Sequence, residues 1–274
     1  MNPIKVELAE RLGSVEEYYF SKKLREIDEM RAAGREVINL GIGSPDQPPH
    51  PEVVATLAAE AAKPGNHGYQ PYKGAAVLRN AFAAWYRDRY GVTLDPVSEI
   101  LPLIGSKEGI MHVCMTYLDK GDKVLVPNPG YPTYRSAATI AGGVCVDYKL
   151  REATGWMPDF DEIERQGIQG VKMMIVNYPH MPTGAIPQEG LFQKLVDFAK
   201  KHNILLLHDN PPPSVTVVLG SDGEWESVKK RRPLYATVRV LPGPTADYPL
   251  LNSRTTYYVC RAHACLPPSN TLAL

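Results

Sequence analysis

Residues 172–210 constrain the fold of this chain more than any other stretch. The stretch begins with the apolar run KMMIV and ends with ILLLH, and short runs bounded by turns are typical of strands buried on both faces. Between them, NYPHMPTG is a turn cluster, and Leu191, Leu195 and Phe198 recur at helical spacing. Asp209 follows the second run directly. Because open α/β sheets bind ligands at the carboxyl ends of their strands, the sequence predicts a polar turn and a carboxylate at one rim.

The preceding segment shows the same alternation of strands and helices. Residues 100–104 predict a strand, the sequence GSKEG opens a helix that ends near residue 118, and KVLVP predicts the next strand. A helix over YPTYRSAATIAGG and a strand over VCVDYKL follow. Strands that alternate with helices form parallel sheets with right-handed crossovers. The predicted fold class is therefore α/β, a mostly parallel sheet with helices on both faces.

Charge and composition exclude several classes of protein. The 274 residues carry a formal net charge of zero, so no bulk field attracts nucleic acid or a membrane surface. No apolar run approaches the length that spans a bilayer, and the mixed charges near the N-terminus are unlike a signal peptide. The four cysteines form no CxxC pair, which indicates neither a disulfide framework nor a zinc site. A reducing cytoplasm is the expected location.

The turn GSKEG has the chemistry of a phosphate site. It joins a predicted strand to a helix, and the free N–H groups of a helix N-terminus attract anions. Ser106 adds a hydroxyl group and Lys107 adds a positive charge. The turn does not match the nucleotide P-loop pattern GxxxxGK[ST]. A nicotinamide-dependent oxidoreductase has similar alternation, but no GxGxxG follows the first strand.

Six motifs in one order resemble the class I/II aminotransferases, which are pyridoxal-phosphate enzymes of fold type I. They are INLGIGSPD, HGYQPYKG, GSKEG, VPNPGYPTY, NYPHMPTG and LLLHDNP. The resemblance is strongest to the branch of diaminopimelate and aspartate aminotransferases and covers about residues 14–211. It implies an N-terminal arm and helix over 1–36, an incomplete cofactor-binding large domain over 37–211, and an atypical, irregular tail over 212–274.

The resemblance assigns cofactor roles to individual residues. Ser106 and Lys107 match the turn that cradles the cofactor phosphate, and Tyr131 matches the aromatic residue stacked on the pyridine ring. Asp209 matches the acid that pairs with the ring nitrogen, which keeps the ring protonated as an electron sink. Tyr69 matches a tyrosine that reaches the cofactor phosphate of the other subunit in a homodimer.

The resemblance also implies substrate contacts. Gly43 matches the glycine whose backbone touches the substrate carboxylate, and Lys107 could meet an acidic distal group. An amino acid and a 2-oxo acid are the implied substrates. The alternative is a non-catalytic binding protein with the same cofactor fold and a divergent C-terminal domain.

The sequence departs from the family pattern at two places. Met181 stands where the family has the asparagine that hydrogen-bonds the cofactor ring hydroxyl, and His180 or Asn177 are the residues that could replace it. After Asp209, no Ser-x-Ser-Lys motif follows, so no residue matches the Schiff-base lysine and no catalytic residue is assigned.

The last segment has a different composition from the rest of the chain. Lys229 and Lys230 are the only later lysines, and they lie in the charge run VKKRRP. Strands are expected at SVTVVLG, YATVRV and TTYYVC, and the change in proline and arginine use suggests a shifted reading frame or a divergent domain. The chain as written is therefore expected to bind the cofactor without a covalent link and to turn over little or no substrate.

Overall fold

Four parallel strands form the sheet that carries the predicted site. The structure is a computed structural model, and it describes residues 6–7, 9–13, 17–39, 48–209, 214–218, 237–241, 256–261 and 264–265. The strands are β1 (Lys123–Asn128), β2 (Val144–Lys149), β3 (Val171–Val176) and β4 (Leu205–His208). They lie in the order β2-β1-β3-β4, and every neighbouring pair is parallel. The α/β class predicted from the alternation is confirmed.

Helices cover both faces of this sheet. They are α4 (Ser106–Tyr117), α5 (Pro132–Ile140), α6 (Phe160–Gln166) and α7 (Leu191–His202). Side chains of α4 and α5 pack against Val124 and Val126 of β1, whereas side chains of α6 and α7 pack against Leu125. Since successive side chains of a strand point to opposite faces, α4 and α5 cover one face and α6 and α7 cover the other.

The spacing of apolar residues in α7 determines which face of this helix packs on the sheet. Leu191, Leu195 and Phe198 are all buried, as their spacing predicts, and they join one core cluster with Val176 of β3. Basic residues fill the last turn, where they complement the helix dipole, and Asn203 ends the helix in the left-handed conformation. The helix therefore returns the chain to start β4 beside β3.

The predicted strand at residues 100–104 is wrong. No strand is assigned there, and no described strand pairs with it. The N–H of Ile104 instead donates to the Glu108 carboxylate at 2.7 Å, and the Ile104 side chain is exposed. A strand needs a ladder partner for its backbone groups, and the described chain provides none at this point.

The chain divides into two compact units, Glu16–Leu103 and Ile104–Leu274 with Met1–Val15. The first unit contains α1 (Tyr19–Ala32), α2 (Pro51–Ala61) and α3 (Ala76–Tyr90).

In the last segment, the backbone forms β5 (Ser214–Val218), β6 (Thr237–Leu241), β7 (Thr256–Arg261) and β8 (Ala264–Cys265), which confirms the three strands expected there. No helix in the described part of the chain combines the length and apolar character needed to cross a bilayer.

Candidate functional site

The carboxyl ends of β1, β3 and β4 meet at one rim of the sheet. The chain leaves β1 toward β2 on one side, and it leaves β3 toward β4 on the other side. The order therefore reverses between β1 and β3, and ligands of open α/β sheets bind in the crevice at such a point. Tyr131 follows β1, Asn177 follows β3, and Asp209 follows β4. These residues form the rim site.

A line of contacts joins the first turn of α4 to the end of β4. The Lys107 Nζ atom lies 5.4 Å from the centroid of the Tyr131 ring. The rings of Tyr131 and Tyr134 meet edge to face, with centroids 5.8 Å apart. The Tyr134 hydroxyl then donates to Asp209 Oδ2 at 2.9 Å. Three residues that the sequence predicted, Lys107, Tyr131 and Asp209, therefore belong to one connected group.

The N-terminus of α4 presents backbone donors beside Lys107. Gly105 precedes the helix and its backbone is extended, and no side chain caps the first turn. Ser106 and Lys107 are both exposed. An uncapped helix N-terminus with an adjacent hydroxyl and ammonium group can bind a phosphate.

Asp209 is a buried carboxylate held from several sides. Its side chain is 8% exposed, and its N–H donates to the Val176 carbonyl at 2.9 Å, which continues the ladder between β4 and β3. Burial, followed by the neighbouring Asp209 charge, raises the pKa of Tyr134 well above its ordinary value. Tyr134 is therefore a neutral donor to the carboxylate at every physiological pH.

Asn177 ties the turn after β3 to the end of β4. Its Oδ1 atom accepts the Met181 N–H at 2.6 Å, and its Nδ2 atom donates to the Asp209 carbonyl at 2.5 Å. Both partners are main-chain groups, and the Asn177 side chain is buried. The Asn177 amide therefore links the backbone of the turn after β3 to the backbone at the end of β4.

The residue at the position of the family asparagine, Met181, is partly exposed and has only a weakly accepting sulfur. The two residues that could replace that asparagine have other partners. The Asn177 amide is engaged with Met181 and Asp209, as described above. The His180 Nδ1 atom lies 2.7 Å from Thr183 Oγ1, and the ring is fully buried.

Two other predicted residues are not part of the described rim site. Tyr69 belongs to the unit Glu16–Leu103, and its side chain is fully exposed. Gly43 lies outside the described residues. Tyr134 was not predicted as a site residue, although its position three residues after Tyr131 places both on the start of α5.

We expect the chain to lose stability as the pH falls from 7 to 5, because two histidines are held neutral. Burial lowers the pKa of His180 and the pKa of His208 from 6.5. Below about pH 6.5 the unfolded chain therefore binds more protons than the folded chain. The stabilisation is complete above that pH and declines below it, by at most about 1.4 kcal/mol per pH unit for each histidine.

Urea unfolding at pH 7.5, 6.5 and 5.5, followed by circular dichroism, measures this loss. A double variant, His180→Gln with His208→Gln, should lose less stability over the same range. Equal pH slopes for the two proteins would contradict the assignment, because the loss would then come from carboxylates alone.

The parallel sheet with helices on both faces is the fold of the fold type I transferases, to which the solved structures similar to this chain belong. The sequence profile described as aminotransferase class I and II matches residues 35–210. The chain belongs to this family.

Curated relatives and solved structures agree with this membership. The chain is 41% identical over 206 residues to LL-diaminopimelate aminotransferase of Dehalococcoides mccartyi strain CBDB1, an alignment that covers 75% of this chain and 53% of the relative. The enzyme of that name from Moorella thermoacetica is 41% identical over 208 residues, with 76% and 53% covered. The chain therefore spans about half the length of the curated relatives it matches.

Two solved structures show the same fold. BacF from Bacillus subtilis in its apo form superimposes with a TM-score of 0.70 at 37% identity, and the match covers 75% of this chain and 52% of that structure. Aspartate aminotransferase from Thermus thermophilus with maleate gives a TM-score of 0.69 at 28% identity, with 76% and 54% covered.

Proposed function

We propose that this chain forms the pyridoxal-phosphate-binding part of an aminotransferase large domain, and that the rim site holds the cofactor. The observation that carries the proposal is the line of contacts from Lys107 through Tyr131 and Tyr134 to Asp209. It joins an anion-binding helix end, an aromatic ring and a buried carboxylate at the crevice between β1 and β3.

The chemistry of these groups fits the three parts of pyridoxal phosphate. The backbone N–H groups of α4, the Ser106 hydroxyl and the Lys107 ammonium suit its phosphate. The Tyr131 ring offers a face for its pyridine ring, and the Asp209 carboxylate suits a protonated ring nitrogen. When bound, the cofactor supplies an electron sink for the negative charge that develops at a substrate α-carbon.

Asp209, Tyr134 and Asn177 have separate tasks in this proposal. Asp209 keeps a proton on the ring nitrogen, and Tyr134 orients the carboxylate by donating to Oδ2. Asn177 fixes the distance between the Asp209 backbone and the turn that carries Met181. Burial of Asp209 and Tyr134 excludes water from the acid, which strengthens its interaction with a cation.

Substrates and partners are extended to this chain from the family and from its relatives. We propose an amino acid and a 2-oxo acid as the pair that exchanges the amino group, with LL-diaminopimelate as the first donor to test. Lys107 would face an acidic distal group and Gly43 a substrate carboxylate, while Tyr69 would reach the site of a second copy. We also propose a cytoplasmic location, where the free thiols of Cys114 and Cys145 would stay reduced.

We expect the purified chain to bind pyridoxal phosphate reversibly, without a covalent bond to a lysine. Titration followed by absorbance and by quenching of protein fluorescence should show saturable binding, which inorganic phosphate weakens by competing at α4. Borohydride reduction of the complex, followed by mass spectrometry of tryptic peptides, should label no lysine stoichiometrically.

Two outcomes would contradict the proposal in different ways. A stoichiometric adduct on Lys107, Lys229 or Lys230 would show that the chain has its own covalent lysine, and amino transfer from LL-diaminopimelate should then be assayed with it. Absence of saturable binding would show that the rim site holds no pyridoxal phosphate.

A further inference from the structure

Asp147 carries a carboxylate to which the proposed function gives no task. It lies in β2, opposite Val126 of β1 in the parallel register, and its side chain is partly exposed. Each of its two oxygens has its own partner. The Arg135 guanidinium donates to Oδ1 from α5, and the Asn128 amide donates to Oδ2 at 3.2 Å from the end of β1. One carboxylate on β2 therefore joins the end of β1 to α5.

These two partners flank the turn that carries Tyr131. Asn128 is the last residue of β1, Arg135 lies near the start of α5, and Tyr131 is the N-cap residue between them. The turn is tight, because a Cβ atom at Gly130 would lie 2.3 Å from the Pro127 carbonyl oxygen. A shift at either end of so short a segment therefore moves the backbone from which the Tyr131 ring projects.

The backbone on both sides of this turn also contacts β2 or the residue that follows it. The Asn128 carbonyl accepts the Leu150 N–H at 2.9 Å, just beyond the end of β2. The Arg135 carbonyl accepts the Cys145 thiol at 3.7 Å. Since Cys145 and Asp147 are two residues apart on one strand, their side chains point to the same face of the sheet, the face that α5 covers. The bonds of Asp147 therefore belong to a set of contacts that joins this edge of the sheet to both ends of the turn.

The Tyr131 ring has a defined place in the rim site. It meets the Tyr134 ring edge to face, and the Lys107 Nζ atom lies 5.4 Å from its centroid. An ion pair between exposed side chains contributes little to the stability of a whole domain. Loss of the Asp147 carboxylate is therefore expected to change the position of this ring more than the stability of the fold.

We propose that Asp147 is a positioning residue: its carboxylate links the end of β1 to the start of α5 and so fixes the turn that presents Tyr131 to a cofactor ring. This inference rests on the proposed function for the cofactor, whereas the link itself is a property of the cofactor-free chain. The role is indirect, because Asp147 acts through Asn128 and Arg135.

Two variants remove the link from its opposite ends. Asp147→Val keeps a residue that suits a strand and removes both bonds, whereas Arg135→Met keeps the apolar stem and removes one of them. Hydrogen exchange of the cofactor-free chain, measured by mass spectrometry on peptides that cover residues 128–135, reports the turn directly. We expect exchange to be about two- to fivefold faster in both variants. Arg135→Lys, which keeps a cation that can pair with the carboxylate, should exchange at a near-native rate.

Lys172→Met is the matched control, and it should leave exchange in residues 128–135 unchanged. The Lys172 Nζ atom pairs with Asp122 Oδ2 at 2.9 Å, in a partly exposed ion pair at the opposite rim of the same sheet. Native exchange in both Asp147→Val and Arg135→Met would overturn the proposal. Equal acceleration in β3, or an equal effect of the control, would also overturn it, because the change would then be a general loss of stability.

A titration with pyridoxal phosphate then tests the consequence for the site. Asp147→Val should weaken binding about threefold in the native chain and leave it unchanged in a Tyr131→Leu background, because the effects of residues that act as one unit do not add. Equal weakening in both backgrounds would refute the link to Tyr131. If the native chain binds no pyridoxal phosphate, the proposed function fails, whereas the exchange result still decides whether Asp147 holds the turn.

Discussion

Replacing Asp209 by asparagine should weaken binding of pyridoxal phosphate by about 10- to 100-fold. The amide keeps the size of the side chain and keeps an oxygen that can accept the Tyr134 hydroxyl, which now donates to Oδ2 at 2.9 Å. It loses the negative charge that pairs with a protonated ring nitrogen. A hydrogen bond to a charged group contributes about 1.5–3 kcal/mol, and each 1.4 kcal/mol is a factor of ten in affinity.

The control for this variant is an exposed carboxylate of the same unit that does not belong to the rim site. Asp197 lies on the exposed side of α7, where it accepts a hydrogen bond from Gln193 at 2.8 Å. Asp197→Asn should leave the dissociation constant unchanged, and circular dichroism should show the same secondary structure for both variants. Native affinity in the Asp209→Asn protein would remove Asp209 from the site.

Truncation of Leu195 to alanine should lower the free energy of unfolding by about 2–5 kcal/mol. The Leu195 side chain is completely buried between α7 and the sheet, in the cluster that includes Val176 and Phe198. The lost contacts leave a cavity that rigid neighbours cannot fill. Since a folded domain is stable by only about 5–15 kcal/mol, the midpoint of urea unfolding should fall clearly.

A partly exposed leucine of the same unit provides the comparison. Leu205, on β4, is 38% exposed, and Leu205→Ala should cost about 1 kcal/mol because less apolar area is lost. Equal costs for the two variants would mean that α7 does not pack on the sheet as described. The same unfolding curves at saturating pyridoxal phosphate would show whether the site stabilises this unit.

The parts of the fold that could be predicted were those with a local signal. The apolar runs of β3 and β4 and the helical spacing of Leu191, Leu195 and Phe198 lie within one continuous stretch, and the structure confirms all of them. Residues 100–104 carried an equally apolar signal and form no strand. A segment forms a strand only where a neighbouring strand can pair with it, and the hydrophobic character of the segment does not show whether such a neighbour exists.

The site was only partly predictable for a similar reason. Asp209 and Tyr131 were recognisable because each follows a strand or opens a helix within a known motif. The bond from Tyr134 to Asp209 joins residues 75 positions apart. It leaves no pattern in the order of residues, since it arises only when the start of α5 and the end of β4 meet at one rim.

The tie made by Asn177 has a consequence for how this family can diversify. Its two partners are the Met181 N–H and the Asp209 carbonyl, and every residue except proline supplies both groups. The loop geometry is therefore insensitive to the identity of residue 181, so methionine could replace an asparagine there without loosening the scaffold. Position 181 is one at which substitutions can be tried in a library while the architecture remains constant.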